Sequence, residues 1–135
     1  MNIIDKDIKF IESCYDEYNY INKAVPFPDM SKYIDVDAEI VFDNVKYNRN
    51  ETLKLIEVFC KNMTSLKVSV YDKIMCIDSD KRAYLALTNW ECTTIKGQTE
   101  LCPMMEIMYI NGNNKIIKAI GVINMSGLGD LLKEL

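Results

Sequence analysis

The chain has 135 residues, 49 % of them hydrophobic, a formal net charge of −4 and a pI near 4.9. That is enough apolar material for one domain, 1–135, with a substantial core. An acidic balance without a dense Lys/Arg cluster excludes a nucleic-acid binder and disfavours an anionic membrane surface.

No apolar run approaches the roughly 18 residues a membrane span requires. The start, Met1-Asn2-Ile3-Ile4-Asp5, lacks the basic flank and hydrophobic segment of a secretory signal, so a cytoplasmic location is expected. Cys14, Cys60, Cys76, Cys92 and Cys102 are odd in number and form no Cys-x-x-Cys pair, which reads as small buried hydrophobes. Histidine is absent. Ser-His and Cys-His nucleophiles and His-containing zinc sites are therefore excluded, and neither a metal nor a cofactor is expected. Acid–base chemistry falls to carboxylates, tyrosines or lysines.

Taken in order, residues 5–22 read as an amphipathic helix. Ile8, Ile11, Cys14 or Tyr15, Tyr18 and Ile21 or Asn22 recur at spacings of three and four, with Asp5 as the expected N-cap. Pro26 and Pro28 end it. A short helix capped by Asp29 is expected near 30–34. Residues 37–43 alternate as a short strand, Asp43-Asn44 is a turn, and 45–48 is a second brief strand. Asn50 is the expected cap of a third helix over 51–62, whose stripe is Leu55, Ile56, Phe59, Cys60 and Met63. From there the period changes to two: strands are expected over 67–77 and 82–95, separated by a turn at 78–80 and closed by Lys96-Gly97.

The strongest local signal is a hairpin within 101–124. Two apolar strands, 102–110 and 115–123, flank Asn111-Gly112-Asn113-Asn114, and Asn-Gly tolerates the positive φ of hairpin turns. Their near-continuous hydrophobicity implies that both faces are covered. Glu106 interrupts the first strand, sharing a face with Met104 and Met108. A carboxylate in such a setting must pair, protonate or reach water. Residues 127–135 read as a short helix or tail. Helices first and strands afterwards indicate an α+β fold, with helices on one face of a curved sheet.

This order resembles the nuclear transport factor 2-like superfamily, and within it the SnoaL-like and ketosteroid-isomerase-like small proteins. The resemblance implies a cone: a curved, mainly antiparallel sheet wrapped around a long N-terminal helix, with two further helices. The segment from Glu106 to Ile116 can be laid without a gap on the isomerases' last hairpin. Glu106 then falls where that family has a protonated aspartic acid, one of two donors to a developing enolate oxygen, a device known from ketosteroid isomerase itself. The tyrosine donor on the first helix corresponds to Tyr15 or Tyr18. The base corresponds to Asp43 with a one-residue slip; without the slip Phe42 takes its place. Glu for Asp adds one methylene.

What the resemblance implies for function is twofold. One reading is a domain that binds a small apolar molecule or dimerises, with an incomplete catalytic set. The other is an isomerase-like enzyme moving a proton next to a carbonyl, with Asp43 as base and Tyr15 or Tyr18 plus Glu106 as oxyanion donors. A protein–protein adaptor is a third option. The pocket wall is assigned to Phe42, Phe59, Met63, Trp90, Met104 and Met108, with Asn124 at the end of the last strand. A homodimer through the sheet's outer face is also implied.

Overall fold

A computed structural model describes residues 2–19 and 29–123. Helix α1 is Ile3–Asp16, continued by one 3-10 turn over 17–19. Its cap is Asn2, not Asp5: Asn2 has extended backbone (φ −75°, ψ 170°) and its Oδ1 accepts the Asp5 amide at 2.8 Å. Asp5 is already helical and serves the positive end of the helix dipole instead. The described helix is thus shorter than the expected 5–22, and both prolines fall outside the described residues.

Asp29 caps a single 3-10 turn, Met30–Lys32, accepting the Ser31 amide at 3.1 Å. Strand β1, Ile34–Phe42, begins three residues earlier than alternation suggested. Asp35, Val36 and Asp37 break the apolar pattern, yet backbone pairing with the last strand already starts at Ile34. Asp43 and Asn44, at φ 49° and 68°, make a tight two-residue turn into β2, Val45–Tyr47.

Helix α2 is Arg49–Lys61. Its cap is Asn48, two residues before the expected Asn50. Asn48 Oδ1 accepts the Glu51 amide at 2.9 Å while Glu51 Oε1 accepts the Asn48 amide at 3.0 Å. This reciprocal pair satisfies two otherwise orphaned donors, which Asn50 could not do from inside the first turn. Met63 is not on this helix; it opens β3, Met63–Val70.

The single strand expected over 67–77 is two. At Asp72 the backbone turns left-handed (φ 65°), and β4, Met75–Asp78, follows. Both β3 and β4 pair with the long β5, Ala83–Thr94. Gly97 (φ 82°) makes the turn into β6, Thr99–Ile110, and β7, Ile116–Ile123, completes the expected hairpin. The helix or tail expected over 127–135 lies outside the described residues.

The sheet order is β2-β1-β7-β6-β5-β3, with β4 also on β5. Every pairing is antiparallel except β1 with β7. The two helices cover one face of this open, curved sheet, and the core lies between them and the sheet. Among the described residues, no helix is long and apolar enough to cross a membrane.

Two polar devices fix α1 against the sheet. Asp7, 2 % exposed, accepts Arg82 Nε at 2.9 Å, Arg82 Nη2 at 2.7 Å and Tyr84 Oη at 2.6 Å. Arg82 also donates to the Asn111 carbonyl and to Asn114 Oδ1, so one guanidinium ties α1 to two turns of the sheet. At the other end, Asn19 takes both backbone groups of Val68: its Oδ1 accepts the amide at 2.7 Å and its Nδ2 donates to the carbonyl at 3.3 Å.

Candidate functional site

The strand register assembles the site row by row. Directly opposed residues share a face, so one row on the helix-covered side reads Phe42, Gly121, Glu106, Ala86 across β1, β7, β6 and β5. The flanking rows are Ile40, Ala119, Met108 and Tyr84 on one side and Ile123, Met104 and Thr88 on the other. The one acidic side chain in these rows therefore stands between the two smallest residues of its own row.

Above it lies a cavity of ≈ 190 Å³. Helix α1 contributes Cys14, Tyr15 and Tyr18 to its wall; α2 contributes Leu55, Ile56 and Phe59; the sheet contributes Phe42, Trp90, Met104, Glu106 and Met108. Tyr18, Tyr15 and Phe59 all meet Trp90 edge-on, with ring centroids 4.8, 6.4 and 6.2 Å away. The Trp90 indole N–H donates to Thr88 Oγ1 at 2.8 Å, so this aromatic wall has its polar atom satisfied within the protein.

Tyr15 Oη donates to Glu106 Oε1 at 2.7 Å. Of the two tyrosines left open by the sequence, Tyr15 makes this bond; Tyr18 is buried against Trp90 and feels the Glu106 charge. Burial pushes the Glu106 carboxyl above its ordinary value, and the Tyr15 hydrogen bond only partly opposes this. The Tyr15 hydroxyl is raised well above the usual phenol range, first by burial and then by the neighbouring acid. Among the described residues no Lys or Arg lines the cavity to neutralise Glu106. Glu106 keeps partial exposure, and it borders the void. Chemically, this is a cavity with one acid biased towards its neutral, hydrogen-bond-donating form.

Asp43 lies elsewhere. It sits in the β1–β2 turn, its amide donates to the Gly121 carbonyl, and its Oδ1 accepts the Ile123 amide at 3.2 Å. Phe42, the residue before it, is the one that lines the cavity. Phe59, Trp90, Met104 and Met108 also line it, whereas Met63 is buried in the core apart from that lining. Asn124 lies outside the described residues.

Several wall residues were not singled out from sequence: Cys14, Tyr47, Thr52, Leu55 and Ile56 among them. For Cys14, Leu55 and Ile56 the apolar spacing marks the helices but not which part of each helix stands over a void; Tyr47 on β2 and the polar Thr52 carry no such pattern. Gly121 was also missed as a site residue, although a glycine inside a strand signals close approach of a neighbour.

Compared by sequence, the chain matches no family model and no curated protein. Compared by structure, it superimposes on BvnE pinacolase from Penicillium brevicompactum at TM-score 0.77 and 10 % identity, covering 98 % of this chain and 95 % of that one. A SnoaL-like protein from Jannaschia sp. CCS1 gives TM-score 0.73 at 10 % identity, over 98 % and 94 % of the two chains. An NTF2-like protein from Exiguobacterium sp. 255-15 gives 0.70 at 12 %, over 85 % and 98 %.

The fold is nuclear transport factor 2-like. In this chain the NTF2-like cone encloses the Tyr15–Glu106 pair, and the α1 and α2 residues named above form the part of its wall opposite the sheet. At these identities the match establishes the architecture, while the chemistry rests on the residues of the site.

Proposed function

We propose that this NTF2-like domain binds a small, uncharged, largely apolar molecule carrying one oxygen that accepts a hydrogen bond from Glu106. The observation that supports it is the Tyr15–Glu106 pair at 2.7 Å, bordering an otherwise apolar cavity of ≈ 190 Å³. A largely buried carboxyl with no Lys or Arg among the described lining residues is costly in a core that merely needs filling. Among the described residues, an anion would meet an acid and no cation there. An apolar cavity of about 150 Å³ holds benzene, so this one has room for a ligand of one ring or more.

The test is a pair of probes of the same shape, 1-indanone and indane, titrated by NMR. Binding of the ketone in preference to the hydrocarbon, lost as pH rises through the Glu106 pKa, is the expected result. Equal binding would remove Glu106 as the recognition group, and binding of neither would leave a packed structural domain.

A second reading is an enzyme that moves a proton next to a carbonyl. The same Tyr15–Glu106 geometry favours it, because a neutral acid bordering the cavity can donate to a developing oxyanion while Tyr15, whose proton goes to Glu106, supports that acid from behind. Asp43 would serve as base through Oδ2 only if the β1–β2 turn brought it towards the cavity, which it does not line.

We also propose that the protein is a homodimer through the outer face of the sheet. Leu87, Met105 and Val122 are neighbours in register there and are 38, 48 and 54 % exposed, with Leu101 at 63 % beside them. A second copy covers such a patch with its own equivalent. Five cysteines held as free thiols, four of them buried, fit a reducing cytoplasmic setting.

A further inference from the structure

We propose that Gly121 determines which ligands the cavity admits: its missing side chain lets the Phe42 ring lie against β7 and leaves Glu106 Oε2 open towards the void. This deepens the ligand-binding reading and rests on it.

The geometry is specific. A Cβ at position 121 would stand 3.1 Å from Phe42 Cδ2, 3.5 Å from Phe42 Cε2 and 3.7 Å from Glu106 Oε2. The backbone itself does not ask for glycine here. Gly121 is a paired strand residue outside the left-handed region, unlike Gly97 at φ 82°, around which a Cβ would meet nothing. Glycine inside a strand has an entropic cost and offers no side chain to pack. At this position it is therefore explained by the space it leaves, and the two groups that use this space are the cavity's aromatic wall and its acid.

An added methyl must displace the Phe42 ring. Phe42 is half-buried and borders the cavity, so the ring has room to move into the void. The methyl would also lie in ordinary contact with the carboxyl oxygen not held by Tyr15. Gly121→Ala should thus narrow the cavity along the Phe42–Glu106 row and discriminate most against broad ligands.

The experiment compares 1-indanone with the wider ketone 9-fluorenone in the wild type, Gly121→Ala, Phe42→Leu and the double variant. Gly121→Ala is expected to weaken fluorenone roughly tenfold more than indanone, the scale of a methylene-sized change in a pocket. The double variant should restore the ratio, because leucine yields the space that the ring needed. An unchanged ratio in Gly121→Ala, or no rescue by Phe42→Leu, overturns the proposal. Should Gly121→Ala fail to fold, Phe42→Leu alone carries the test: a gain confined to fluorenone supports the wall role, and no gain refutes it.

Should the wild type bind neither ketone, the ligand reading fails separately. Phe42 is then followed in the free protein by its nuclear Overhauser contacts. Gain of ring contacts to Met104 or Ile40 in Gly121→Ala, beside contacts to the new methyl, supports the spatial claim. A ring that stays in place removes it.

Discussion

Tyr15 on the first helix and Glu106 on the sixth strand lie 91 positions apart in the chain and meet at 2.7 Å, with the phenol donating to one carboxyl oxygen. The bond favours the ionised acid while burial favours the neutral one, and burial prevails. Tyr15→Phe removes the opposing influence, so the Glu106 pKa should rise further. Carbon-13 NMR titration of the glutamate carboxyls measures this directly. The lost bond should also lower stability by about 1 kcal/mol, the net worth of one part-buried hydrogen bond.

Glu106 should also make stability depend on pH with a definite sign. Its folded pKa is raised above the ordinary 4.5. Below 4.5 both states hold the proton and the group costs nothing extra. As pH rises past that value the unfolded chain ionises first, so stability falls until the folded pKa is passed. Glu106→Gln should flatten this decline above pH 4.5, which urea denaturation at several pH values will show.

Asp7 runs the other way. Burial alone would raise its pKa, but hydrogen bonds from Arg82 and Tyr84 and the Arg82 charge outweigh it and hold the carboxyl below 3.8. The stability it contributes is present above pH 3.8 and lost as pH falls through the lower folded value. Asp7→Asn should destabilise the fold by about 3 kcal/mol, because breaking a buried pair strands the other charge. Thermal melts at neutral pH check this.

At Asp43 the two functional readings part. Asn tolerates the left-handed backbone of this turn and keeps an oxygen for the Ile123 amide, so Asp43→Asn should change stability by less than about 0.5 kcal/mol. On any ketone found to turn over, the same variant should abolish activity if Asp43 is the base. Retained turnover would remove Asp43 from the mechanism.

For the dimer, Met105→Glu places a charge in the middle of the Leu87–Met105–Val122 row. Sedimentation equilibrium should show a dimer for the native chain and a monomer for the variant. A native monomer at micromolar concentration would contradict the proposed interface.

The sequence was informative where a pattern is local. Asn-Gly located the final hairpin, alternation oriented Met104, Glu106 and Met108 together, and the α1 spacing put Tyr15 and Tyr18 within a turn of each other. It was less informative where the deciding interaction is reciprocal or distant. Asn48 and Asn50 are equivalent caps on paper, and only the return bond from Glu51 separates them. The left-handed bend at Asp72 divides a segment whose alternation looked continuous. Which tyrosine meets Glu106 depends on how α1 lies over the sheet, and the role of Gly121 depends on three strands being side by side. Neither is encoded in any single window of residues.

The Asn19 amide, bonded to both backbone groups of Val68, has a consequence beyond holding α1 down. Among the described residues β3 and β4 form one border of the sheet, and a border strand offers its unpaired amides and carbonyls to any passing chain. One side-chain amide occupies a donor and an acceptor that a foreign strand would need first. The opposite border, β2, spans only three residues and offers little to grip. An incoming strand at β3 would therefore find the Val68 amide and carbonyl already taken.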